Sequence, residues 1–139
     1  MDVTTTLPPA PLSAGWAIWT GRILSALVVL FLLLDGVMKI MPLPIVLTTM
    51  GDLGWPVDAT TARILGILTL GGTALYAWPR TSAVGSILLT AYLGGAVATH
   101  VRIDRPLFSH VLFGVYLGVA LWAGLLIRSP QLRAVLGGR

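Results

Sequence analysis

Six ionisable side chains interrupt or border four otherwise apolar runs, and their types limit the chemistry available. Asp35 and Lys39 stand four residues apart near the end of the first run, and Arg63 lies near the start of the second. His100 and Arg102 close the third run, and His110 opens the fourth. Carboxylate and imidazole are the groups suited to proton exchange, so Asp35 as base and His100 as acid are the candidate catalytic pair. Lys39, Arg63, Arg102 and His110 are the candidate binding residues, able to orient the polar groups of a ligand. The Asp35–Lys39 spacing puts both on one helical face, where they can pair. Long basic side chains reach out of an apolar layer, which also makes Lys39, Arg102 and Arg105 readable as interface anchors. A short carboxylate cannot do this, so Asp35 needs a partner inside.

The elements that must position these groups are four apolar spans, at about Gly15–Met41, Thr61–Trp78, Ser82–Val101 and His110–Ile127. Each is long enough to cross a hydrocarbon layer about 30 Å thick at 1.5 Å per residue. The segment Pro42–Thr60 contains Pro42, Pro44, Gly51, Gly54 and Pro56 and cannot be one regular helix. Ile45–Met50 is expected to form a short turn on the membrane surface, with Trp55 as an anchor. Tyr76 and Trp78 read as an aromatic belt ending the second span. Pro79-Arg80 forms a tight turn, after which Thr81 or Ser82 is expected to cap the third span. Residues 1–14 read as a flexible tail, with Asp2 and no basic residue before Arg22, unlike a secretory signal. Residues 129–139 read as a basic tail.

Short connections make consecutive spans antiparallel neighbours, so the expected fold is all-α, an integral membrane up-and-down four-helix bundle over residues 15–128. Both termini then share a side. The balance of basic residues in the loops places them in the cytoplasm, in a multi-pass protein of the plasma (cytoplasmic) membrane. The ionisable groups collect at the opposite end. Gly94-Gly95, the Ala91/Gly95 pair and the Gly114/Gly118 pair have the small-xxx-small spacing that lets helices approach in lipid, and packing within the bundle is the expected use.

Composition supports this reading. Of 139 residues, 56% are hydrophobic and 10% charged, against about 25% charged in a soluble domain; the mean hydropathy is +0.91. Lipid is therefore the expected surrounding medium. The net charge of +4 is spread over span ends rather than gathered on a face, so nucleic acid is not an expected partner. The absence of cysteine removes thiolate catalysis, disulfide exchange and Cys-ligated metal or iron–sulfur centres, and no metal site is expected. Two histidines on different helices could ligate a haem, but their places at the membrane edge argue against it.

Several stretches resemble the DoxX-like family. They are Leu34-Asp35-Gly36-Val37-Met38-Lys39, Gly54-Trp55-Pro56, and the run from Thr90-Ala91-Tyr92 through Thr99-His100-Val101-Arg102. The fourth span, with Gly114, Gly118, Leu121-Trp122, Gly124-Leu125 and Arg128, fits as well. The resemblance covers about Gly15–Leu136 and implies a four-helix membrane protein. The relatives that give the family its name are subunits of a thiosulfate:quinone oxidoreductase. Any thiol redox step would here have to be carried by a partner protein.

Three readings stay open. The polar end lines a pocket for a small amphiphile such as a quinone, as part of a redox complex with a partner protein. Alternatively, the chain is a non-catalytic scaffold or accessory subunit, or a stand-alone membrane enzyme doing acid–base chemistry on a lipophilic substrate. A second copy of the chain is a further candidate partner beside the bilayer. Ion transport is disfavoured, because no polar relay runs through the centres of the third and fourth spans.

Overall fold

A computed structural model describes residues 13–137. The expected N-terminal tail lies outside the described residues up to residue 12, and helix α1 already begins at Ser13. The order is α1 Ser13–Ile40, α2 Pro44–Asp52, α3 Ala59–Ala77, α4 Ser82–Arg102, a π-helical turn Leu107–Val111, α5 Phe113–Arg128 and α6 Pro130–Leu136. No strand occurs among the described residues. Three helical stretches are long and apolar enough to cross a membrane: Gly15–Ile40, Ser82–Arg102 and Leu107–Arg128. Helix α3, which carries Arg63, is not among them.

Local chemistry explains the boundaries. Pro44 opens α2 at a position where the missing N–H costs nothing. Gly54 turns the chain after α2 at φ 73°, a conformation glycine adopts freely. Asp58 caps α3, its carboxylate accepting from the Thr61 N–H at 2.8 Å and the Thr61 hydroxyl at 2.7 Å. These bonds stabilise the charged form and hold the Asp58 pKa below its ordinary value. Thr81 occupies the cap position of α4, yet its hydroxyl donates back to the Leu75 carbonyl at 2.8 Å and gives α4 no side-chain cap. The turn after α4 places Asp104 at φ 53°, which short polar side chains tolerate. Past Pro106 the chain restarts one turn earlier than the sequence suggested, in a π-turn, with Leu112 N–H donating to the Leu107 carbonyl at 2.8 Å.

Helix α1 packs on α3 and α5, and α4 packs on the same two helices. The core is Val28, Leu32, Tyr76, Leu89, Leu121 and Leu125. Tyr76 does not belong to an interfacial belt. It is fully buried, and its hydroxyl shares a hydrogen bond with Ser25 Oγ and donates to the Leu121 carbonyl, both at 2.9 Å. A phenol that has left water must find partners, and these tie α1, α3 and α5 together. Buried Thr69, Thr73 and Ser86 each donate to the carbonyl four residues earlier, so their hydroxyls add no unpaired polarity.

The close helix approaches fall on glycines other than those the spacing suggested. A Cβ on Gly85 would lie 2.2 Å from Tyr76 N, and one on Gly124 would lie 2.6 Å from Ser25 Oγ. At Gly94 and Gly95 a Cβ would meet nothing within 4 Å, and at Gly118 only Leu93 Cδ1 at 3.9 Å. Gly114 alone of the expected set is tight, against Val97 and Leu93. Small-residue spacing marks faces where approach is allowed, and the sequence repeat does not say which face is turned inward.

Candidate functional site

At the end of the molecule where α1 finishes and α5 begins, a cavity of about 490 Å³ opens between α1, α2, α4 and the π-turn. Its wall is mostly apolar, with Phe31, Met38, Met50, Phe113 and Leu117 among its residues. Phe31 and Phe113 meet across α1 and α5 with ring centres 5.3 Å apart and planes tilted by 60°. Helix α2 contributes Ile45, Val46, Thr49 and Met50, and Trp55 follows from the connection to α3.

The polar groups of the wall are few. The Lys39 ammonium donates to the Asp35 carboxylate and lies 5.7 Å from the centre of the Tyr92 ring, within reach of a cation–π attraction. His100 and His110 meet with ring centroids 5.8 Å apart and planes inclined at 60°. Ser109 Oγ lies 2.8 Å from His110 Nδ1. His100 Nδ1 is buried and has no hydrogen-bond partner. Among the described residues no group of three or more His, Asp or Glu side chains could hold a metal ion.

Of the six residues singled out from sequence, Asp35, Lys39, His100 and His110 line the cavity. Arg63 does not: it sits one turn into α3 with its side chain exposed. Arg102 also stays outside, its guanidinium donating to the Leu53 carbonyl at 2.7 Å and lying against Gly54. Together with Arg105, which reaches the Asp52 carbonyl at 3.5 Å, it clips the end of α2 to the end of α4. The arginines thus hold the cover of the cavity rather than its contents.

Two contributors were missed. Tyr92 precedes His100 by eight residues, two helical turns, so the shared face was available from spacing. Helix α2 brings Ile45, Val46, Thr49 and Met50, the i, i+1, i+4, i+5 pattern of one face, to the wall. Its shortness between prolines and glycines concealed it as a helix.

An apolar helical body, three helices fit to cross a membrane and a cavity with a few converging polar groups define an all-helical membrane protein. The profile of the DoxX-like family matches residues 23–124, and the chain belongs to that family. No curated protein and no solved structure matches the chain.

Proposed function

We propose that the cavity binds a small amphiphile such as a quinone, with the chain serving as the membrane subunit of a redox complex. The observation that carries this reading is the cavity itself. Its size falls within the range of about 300–1,000 Å³ typical of small-molecule sites, and such sites combine apolar walls with a few polar groups. Asp35, Lys39, Tyr92, His100 and His110 are those groups here. A ring with carbonyl oxygens suits them: the apolar wall takes the ring, while the ammonium, phenol and imidazoles offer donors. His100 is the group placed to exchange a proton with a bound ligand. With no cysteine in the chain, sulfur redox chemistry falls to the partner protein.

In this reading α1, α3, α4 and α5 form an up-and-down four-helix bundle in the plasma membrane, as one membrane domain over residues 15–128. Arg80, Arg128 and Arg133 stand at the end where α1 begins and α5 finishes. At the cavity end Lys39 is paired with Asp35 and Arg63 lies within α3, which leaves Arg102 and Arg105 at the α4 connection, beside Asp52, Asp58 and Asp104. That asymmetry favours cytoplasmic termini.

Trp55 in the wall supplies the assay. Quinone added to the purified protein quenches Trp55 fluorescence saturably, and Asp35→Asn/His100→Ala weakens binding about tenfold or more, equivalent to roughly 1.4 kcal/mol. Equal binding by wild type and double variant would sink the assignment. The mutual pairing of Asp35 and Lys39 favours a second reading, an accessory subunit whose charges serve folding alone. It expects the double variant to lose stability while quinone binding, if present, is unchanged.

A further inference from the structure

The two imidazoles of the cavity wall lie close together, edge to face. They come from different elements, His100 from the last turn of α4 and His110 from the π-turn, and π-turns are frequent at functional sites. Their ring centroids are 5.8 Å apart. Two imidazoles bound to one ion at about 2.0–2.1 Å keep their ring centres within about 6 Å of each other. Ser109 Oγ occupies His110 Nδ1. When Nδ1–H donates to that oxygen, the lone pair on Nε2 is left free, the arrangement by which an outer partner fixes a metal-binding histidine. His100 Nδ1 is buried and unpartnered, which leaves it open to a partner such as an ion or a water.

The rest of the wall decides which ion. The carboxylate of Asp35 is already neutralised by Lys39. The cavity also offers the hydroxyls of Thr49, Tyr92 and Thr99, which are weak ligands when neutral, and the soft thioethers of Met38 and Met50. Imidazole and thioether together select monovalent copper over the hard cations that need carboxylate oxygens. A single positive charge on neutral donors also costs less to place in an apolar wall than a double charge.

We propose that His100 and His110 bind a Cu(I) ion at the cavity wall, with the thioethers of Met38 and Met50 as the further donors within the same cavity. The site does not depend on the amphiphile reading. The test uses the full chain in detergent micelles under reducing conditions, titrated with Cu(I) against a chromophoric chelator. Wild type holds one equivalent. His100→Ala and His110→Ala each weaken retention at least about 100-fold, and Ser109→Ala, which removes the outer partner, about tenfold. His110 is exposed, so its replacement leaves packing intact, and helical circular dichroism verifies that each variant is folded. X-ray absorption is expected to show nitrogen neighbours at about 2 Å. Loss of all copper to the chelator by folded wild type overturns the site, as does undiminished retention by the His100→Ala/His110→Ala variant or preferential retention of Zn(II). Quinone titration of the copper-free protein in the same preparation reads the amphiphile site separately, so either reading can fail alone.

Discussion

Replacing Gly85 and Gly94 by alanine in parallel tests how α4 is packed, because the two sites differ only in what the added methyl meets. At Gly85 the new Cβ lies 2.2 Å from Tyr76 N and 2.6 Å from Tyr76 Cα. Ordinary contact begins at 3.4 Å, so the nearest pair must separate by about 1.2 Å, the difference of 3.4 and 2.2. The obstacle is backbone of a neighbouring helix and cannot rotate away. Moving α3 from α4 also strains the Tyr76 hydrogen bonds to Ser25 and Leu121. Overpacking of this kind costs about 1–3 kcal/mol, and the strained bonds place Gly85→Ala at the upper end. At Gly94 the methyl meets nothing within 4 Å, so only the backbone preference remains, worth about 0.5–1 kcal/mol in favour of alanine in a helix. That preference is common to both sites, so the two variants should differ by the overpacking cost alone, about 3 kcal/mol. Reversible unfolding in mixed micelles, followed by circular dichroism, gives both values from one protocol. The reasoning fails if Gly85→Ala is as stable as wild type. It fails equally if Gly94→Ala is destabilised like Gly85→Ala, because that outcome would put Gly94 in a contact absent from the single chain, such as one with a second copy.

Three further outcomes follow from the same geometry. Tyr76→Phe removes the hydroxyl shared with Ser25 and Leu121 and should cost about 1–2 kcal/mol, two bonds at roughly 0.6–1 kcal/mol each; the same micelle unfolding measures it, and unchanged stability would show the network is not formed. Asp35→Asn leaves Lys39 without its carboxylate and should destabilise more than Asp35→Asn/Lys39→Met, since a pair costs less to replace than to break; a double variant less stable than the single one contradicts this. For Asp58, the folded pKa lies below the ordinary value because Thr61 bonds the carboxylate. Its contribution is therefore full above the ordinary carboxylate pKa and fades as the pH falls through the lowered one. Asp58→Asn should flatten the acid limb of the stability profile below about pH 4, and an identical acid limb in wild type and variant would refute the cap.

What the sequence made legible was set by lipid. Charge in an apolar run is costly, so Asp35, Lys39, His100 and His110 stood out one by one, and antiparallel connection sufficed to bring them to one end. Arg63 and Arg102 carried the same signal and yet face away from the cavity, because a long side chain within a turn of the interface can satisfy itself outside. The reverse error occurred with Tyr76. An aromatic residue near a span end has two stable fates, an interfacial belt or a buried hydrogen bond, and composition is the same for both; only the partners Ser25 and the Leu121 carbonyl decide. The glycines follow the same logic, since Gly94 and Gly85 are equally small and differ only in the face that is turned inward. Helix α2 was hidden for another reason: its nine residues are too few to hold a helix by themselves, and it exists because Pro44 starts it, Arg102 and Arg105 tether its end, and its apolar face closes the cavity. Each feature that sequence left undecided is thus one fixed by a partner far along the chain. The cavity is made of such features, because α2, Tyr92 and the two imidazoles meet only after the helices have packed.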